Sequence, residues 1–328
     1  MSSAAAKPKV AFYWCASCGG CEESVVDLAE GVLDVLNAVE IVFWPVAMDF
    51  KKKDVEAVAA GAIAIAFVNG AIRTSEQAEM ARLLRAKSRI VVAYGACAQL
   101  GGIPGLSNQF DREQTLAVVY EKAPTVVNES GVRPAPRYEE QGRVVTLPQF
   151  HQVVRSLDQV IEVDYTVPGC PPTPKILGKA LGALLSDAPS PKGTVLAPDA
   201  ALCEECPRRD SKPQELTYKA FKRPHETLMD PTVCFLAQGV VCMGPATRGG
   251  CEALCVAGAM PCTGCFGPTS RVKDQGAKML SSIASLIEAK EDKTIQDTLA
   301  GIPDPVGTFY RYGLAKSLLR GRAKEIVK

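Results

Sequence analysis

Apolar and polar positions follow two rhythms along the first part of the chain. Residues 9–14 (KVAFYW), 62–68 and 89–94 (RIVVAY) are short apolar runs rich in β-branched and aromatic side chains, the pattern of strands buried on both faces. Residues 40–45 and 161–167 read as two further strands. Between them, residues 24–39, 53–60, 76–87 and 174–185 carry apolar side chains at helical spacing. Strands alternating with helices of this length predict a parallel sheet covered on both faces, an α/β domain of flavodoxin-like architecture over residues 1–190. In such sheets ligands gather beyond the carboxyl ends of the strands.

The rhythm stops at residues 186–192 (SDAPSPK), which have linker composition. Residues 191–328 then predict a second, irregular domain, rich in Gly and Pro up to residue 265. Helical spacing returns at 272–289 and again at 308–328, a basic stretch in which Tyr312, Ala315, Leu318, Leu319 and Ile326 approximate one face. Residues 123–142 are polar and aperiodic and predict an extended excursion that covers a partner or stays solvated.

Thirteen cysteines are distributed on this frame. Cys18 and Cys21 follow the strand 9–14 in the turn that opens a helix. Cys97 follows 89–94 in Gly95-Ala96-Cys97-Ala98, and Cys170 follows 161–167 in Pro168-Gly169-Cys170-Pro171-Pro172. Strand ends bring these four thiols to one edge of the sheet, enough for one 4Fe–4S cluster. Alone, the first turn also suits a redox dithiol, half a zinc site or cysteines packed as small hydrophobes. Eight more, Cys203, Cys206, Cys234, Cys242, Cys251, Cys255, Cys262 and Cys265, crowd a stretch with too little apolar material to hold itself, and eight thiolates suffice for two further clusters. Zinc is the competing account, because Cys203/Cys206 and Cys262/Cys265 are CxxC pairs; it would make this region a zinc-stabilised interaction module without a redox role. The two pairs stand farther apart than a usual zinc-ribbon loop allows. With only His151 and His225 available, the ligands must be mainly sulfur.

The remaining features exclude more than they add. Thirty-seven basic against 36 acidic residues leave no charge excess to attract nucleic acid or an anionic membrane. No apolar run reaches about 18 residues, so no membrane insertion is expected. The start, MSSAAAKPK, lacks a signal core and points to the cytoplasm. The Gly101–Gly105 loop lacks the spacing and Lys of a P-loop and reads as a shaper of its surroundings. Glu22 and Glu23 fit first-turn residues favouring the helix dipole, with proton relay as the alternative. His225 reads as a surface or packing residue. A flavodoxin-type flavoprotein is disfavoured because cysteines occupy the strand ends where flavin would sit.

Together, Cys18-Gly19-Gly20-Cys21-Glu22-Glu23-Ser24, Gly95-Ala96-Cys97-Ala98 and Gly169-Cys170-Pro171-Pro172 resemble the small subunits of nickel–iron hydrogenases. CFLAQGVVCMGPATRGGC and MPCTGCFGP resemble the cytoplasmic branch that includes the F420-non-reducing, viologen-reducing enzymes. The resemblance implies three 4Fe–4S clusters: proximal on Cys18, Cys21, Cys97 and Cys170; medial on Cys251, Cys255, Cys262 and Cys265; distal on Cys203, Cys206, Cys234 and Cys242. Cys203 stands where many members have a histidine. Cys255 argues against a three-iron medial cluster. Cys15 is left over: spacing alone allows Cys15/Cys18 as the ligand pair, but the resemblance favours Cys18/Cys21, which makes Cys15 a neighbour of the proximal ligands or simply a buried residue. The resemblance further implies that hydrogen is split at nickel in a partner large subunit, whose paired CxxC motifs this chain lacks. Electrons would pass through this chain to a flavin or iron–sulfur acceptor subunit. The related quinone-reducing complex I subunit is the nearest rival, but its adjacent Cys-Cys pair and short tail are not found here.

Overall fold

The structure, a computed structural model, describes residues 6–186, 188, 190–288 and 291–318. Its strands in chain order are β1 (Lys9–Trp14), β2 (Glu40–Phe43), β3 (Ile63–Asn69), β4 (Ile72–Thr74), β5 (Ser88–Tyr94), β6 (Arg137–Glu140), β7 (Arg143–Thr146), β8 (Phe150–Arg155), β9 (Tyr165–Val167) and β10 (Thr194–Val195). Six of them form one parallel sheet in the order β10-β9-β5-β3-β1-β2. This is the flavodoxin order with one strand added at the edge. That strand, β10, comes from the part of the chain assigned by sequence to the second domain.

Alternation within the strands builds a core on each face. Val10, Phe12, Ile65, Phe67 and Tyr94 point to one side, where the helix Pro174–Leu184 packs with Ile176, Leu177 and Ala180. Ala11, Ala66, Val68 and Val91 point to the other, against Ala78, Ala81 and Leu84 of the helix Ser75–Lys87. All seven residues of β3 are buried, as its unbroken apolar run requires for the middle of the sheet. Thr74 starts the Ser75–Lys87 helix with a capping box to Gln77.

Register positions the cysteines. Trp14 pairs with Asn69, Asn69 with Tyr94, and Tyr94 with Val167, so β1, β3, β5 and β9 end in one row. The turns bearing Cys18, Cys21, Cys97 and Cys170 leave from three of those ends.

Several elements differ from the sequence expectation. The single helix over 24–39 is two, Gly20–Val26 and Gly31–Ala38, separated where Ala29 takes a left-handed φ of 51° and ends the helical hydrogen bonding. The strand over 161–167 shortens to β9. The excursion over 123–142 runs into an exposed hairpin of β6 and β7, and β4 pairs antiparallel with β8, a contact that short strands distant in sequence do not announce. The helix over 272–289 spans only Gln275–Ala284, because Asp274 accepts from Ala277 N–H at 2.9 Å and sets its start; Ala289 lies outside the described residues. No continuous helix begins at 308. Instead Asp304 caps the short helix Pro305–Phe309, and a 3-10 turn follows at Leu314–Lys316. Ala315 is buried against Gly101 while Leu318 is exposed, so the expected face is split; Leu319 and Ile326 lie outside the described residues.

Residues from Leu202 to Tyr310 surround an apolar cluster of their own. The cysteine-rich stretch is therefore not held by its ligands alone: Met279, Ile283 and Phe309, from helices beyond it, and Ile302, from the connection before the last of them, complete this core. Cys251 and Cys265 also pack against the sheet core, to which Phe266 belongs.

Candidate metal centre

Beyond β1 the chain stays tied to β3 by Cys15 N–H donating to Asn69 O at 2.8 Å and then turns into the helix Gly20–Val26. Cys18 is exposed and Cys21 buried. Tyr94, at the end of β5, donates its hydroxyl to Ser24 Oγ at 2.5 Å, and Ser24 donates to Cys21 O at 2.8 Å, which ties this helix to the sheet. Gly95 follows at φ 85°, and a Cβ there would overlap Cys21 Sγ. Gly102, at φ 57°, stands in the same relation to Cys97 Sγ, which accepts from the backbone N–H of Ile103. Pro171, after Cys170 in a cis peptide, lies close to Gly20 beside Cys18.

The structure thus brings Cys18, Cys21, Cys97 and Cys170 together. Burial pushes the Cys97 thiol up to about 12, and the neighbouring Cys170 and Cys18 add to the effect. Cys21 and Cys170 rise for the same reasons, burial first and the other sulfurs second.

The eight later cysteines form an adjoining array. Cys203 senses Cys242, Cys206 and Cys234, and burial ahead of these neighbours pushes it up to about 11. Cys265 senses Cys251 and Cys255, and burial ahead of them pushes it up to about 12. Cys262, raised well above its ordinary value by burial, stands between Cys242 and Cys265. Two backbone contacts join the groups: Cys170 N–H faces Cys265 Sγ, and Cys262 N–H faces Cys242 Sγ. Glu205 Oε1 lies 3.9 Å from Cys251 Sγ while accepting from Gly250 N–H at 2.8 Å.

Among the described residues, no three His, Cys, Asp or Glu side chains close on a point that a single metal ion would occupy. The donor set nevertheless fits iron–sulfur clusters. Its ligands are sulfur, glycines stand where a Cβ would intrude on Cys21 and Cys97, and backbone N–H groups aim at Cys97, Cys242, Cys262 and Cys265. Burial, with repulsion from neighbouring sulfurs, raises the thiols of Cys21, Cys97, Cys242, Cys262 and Cys265, and bound iron would favour their thiolates.

Cys15 stands apart. It is buried in the opposite sheet core, its thiol raised by burial alone. Glu22 departs from the helix-dipole reading. It is only 5% exposed, and its carboxylate accepts from Trp44 Nε1 and Asn69 Nδ2, while Glu23 is the exposed first-turn acid. Burial raises the Glu22 carboxyl against the lowering by those two donors. Asn69 carried a sequence signal in hindsight: an amide at the end of a fully apolar strand. His225 is exposed beside Glu226. The loop after Cys97 does shape its surroundings, through Gly102 and Ile103.

Residues 18–184 match the family described as NADH ubiquinone oxidoreductase, 20 Kd subunit. Over 325 residues the chain is 38% identical to a subunit of the F420-non-reducing hydrogenase of Methanothermobacter marburgensis, covering 98% of this chain and 99% of that one. It is 37% identical to the corresponding F420-non-reducing hydrogenase subunit of Methanothermobacter thermautotrophicus over 318 residues, 96% of this chain and 97% of that one. This chain belongs to the family of those hydrogenase subunits. The broader match contains Cys18, Cys21, Cys97 and Cys170 but ends before Cys203, whereas the near full-length likeness to the two hydrogenase subunits takes in all of the later cysteines. Among solved structures, the fold is similar to the NiFeSe hydrogenase of Desulfovibrio vulgaris Hildenborough, with a TM-score of 0.50 and 18% identity over 80% of this chain and 94% of that one. No helix among the described residues is long and apolar enough to cross a membrane.

Proposed function

We propose that this chain is the electron-carrying subunit of a cytoplasmic nickel–iron hydrogenase, linking a hydrogen-splitting large subunit to a flavin or iron–sulfur acceptor subunit. It holds three 4Fe–4S clusters: proximal on Cys18, Cys21, Cys97 and Cys170, medial on Cys251, Cys255, Cys262 and Cys265, distal on Cys203, Cys206, Cys234 and Cys242. The observation that carries the reading is the pair of junctions at Cys170–Cys265 and Cys262–Cys242, which turns three sulfur groups into one series. When bound, each cluster supplies a one-electron couple. The protein supplies its place: β1, β5 and β9 present the proximal ligands, and the core around Phe235, Met279 and Phe309 buries Cys242 and Cys262 among the later ones. The exposed edge at Cys18 faces the large subunit in this reading.

Metal analysis of the complex purified through this chain without oxygen tests the reading. About twelve iron atoms assignable to this chain, four per cluster, with nickel in a co-purifying subunit, is the expected result. About four iron atoms with zinc bound by the later cysteines would overturn it and make residues 203–265 a structural module.

A further inference from the structure

Tyr218 presents a buried hydroxyl without a use of its own. The residue is 3% exposed, and its hydroxyl has no hydrogen-bond partner among the described residues. The position is not slack. Tyr218 N–H donates to Leu286 O at 2.7 Å, Glu288 N–H donates to Tyr218 O at 3.1 Å, and the ring lies 4.8 Å from that of Phe221. Backbone and ring are thus anchored on both sides, and a buried hydroxyl held in place without a partner is costly.

Tyr218 shares its buried cluster with Cys242, and Cys234 packs against the same cluster. Both belong to the set read above as distal ligands. A hydroxyl is a donor, and the sulfurs of an iron–sulfur cluster are acceptors whose negative charge grows on reduction. A hydrogen bond to them favours the reduced form and raises the reduction potential.

We propose that Tyr218 tunes the distal cluster, donating its hydroxyl to a sulfur on the Cys234/Cys242 side and raising the potential of that centre. The inference rests on the distal assignment of Cys203, Cys206, Cys234 and Cys242. Its consequence is directional: an electron reaching the end that faces the acceptor is held there more favourably than it would be without the hydroxyl. Tyr312 makes the contrast. It too lies near cysteines, Cys265 and Cys170, but its hydroxyl already pairs with Thr263 Oγ1 at 3.2 Å.

Tyr218→Phe removes the hydroxyl and keeps the ring. The test is a redox titration of the anaerobically purified complex, followed by electron paramagnetic resonance, with iron content measured on the same samples. In Tyr218→Phe, iron content stays at the wild-type level and the midpoint potential of one cluster shifts downward while the other two hold. Tyr312→Phe leaves that potential where it was. Unchanged potentials at full iron content would overturn the proposal. Loss of iron in Tyr218→Phe would also overturn it, making the hydroxyl a requirement of assembly. Failure of the underlying reading is visible separately, as zinc or missing iron in the wild-type complex before any variant is made.

Discussion

Gly102→Ala is expected to strip the proximal site of iron while leaving the fold in place. The residue sits at φ 57°, where a side chain is strained, and its Cβ would overlap Cys97 Sγ and lie 2.7 Å from Cys97 Cα. A rotamer change of Cys97 relieves the first clash but not the second, because the Cα cannot swing away. Either the loop carrying Ile103 moves off, and the N–H aimed at Cys97 is lost, or the thiol is driven out of the ligand position. Gly95→Ala has the same outcome through Cys21 Sγ. Gly142→Ala separates clash from strain: Gly142 also has a positive φ, 74°, yet nothing lies within 4 Å of the added Cβ. Iron per chain falls by about four atoms in Gly102→Ala and Gly95→Ala and stays constant in Gly142→Ala, with far-UV circular dichroism unchanged in all three. Full iron retention in Gly102→Ala would show that this loop does not shape the site.

Asp164→Ala is expected to cost about 3–5 kcal/mol of stability at neutral pH, the range for breaking a buried ion pair from one side. The Asp164 side chain is fully buried. Its Oδ2 lies 2.5 Å from Arg85 Nη1 and accepts from Val91 N–H at 2.8 Å, and its Oδ1 lies 2.6 Å from Lys192 Nζ. The carboxylate therefore ties the end of the Ser75–Lys87 helix, β5 and the segment entering β9 into one corner. Lys192 is 65% exposed, so its pair contributes little, and Arg85, 22% exposed and left without a counterion, carries most of the loss.

The same group gives the pH dependence. Burial raises the Asp164 carboxyl, but hydrogen bonds from Lys192, Arg85 and Val91 N–H outweigh burial and hold it below its ordinary value. A carboxyl depressed in the folded state stabilises above its unfolded pKa, about 3.9, and loses that contribution as pH falls through the folded value. The gap in anaerobic thermal midpoint between wild type and Asp164→Ala is accordingly widest near neutrality and narrows below about pH 4. A gap that stays constant down to pH 3 would rule out the ion pair as its source.

Residues close in sequence and governed by local patterns were legible from the chain alone. Apolar runs named β1, β3 and β5 to within a residue because a strand buried on both faces tolerates few polar positions. Placing Cys18, Cys21, Cys97 and Cys170 just past strand ends needed nothing more than those runs and the parallel arrangement that their helices imply. The hydrogenase likeness was legible for the same reason, since its motifs are short and contiguous.

Contacts between distant segments were decided only in three dimensions. Register sets the row Trp14, Asn69, Tyr94 and Val167, and so buries Glu22 under Trp44 and Asn69, where its sequence position spoke for a solvated helix start. The junctions Cys170–Cys265 and Cys262–Cys242 depend on how the irregular stretch lies on the sheet, and no periodicity encodes that. Helix limits near the carboxyl end moved because caps such as Asp274 and Asp304 compete with apolar spacing, and the tail turned inward where Gly101 leaves room for Ala315. The sequence by itself determined the sheet, the supply of sulfur and its placement at strand ends, all of which follow from local chemistry. The tertiary structure decided which sulfurs meet, which polar groups are buried beside them and that the Tyr218 hydroxyl is left unpaired, because burial and register belong to the packed chain as a whole.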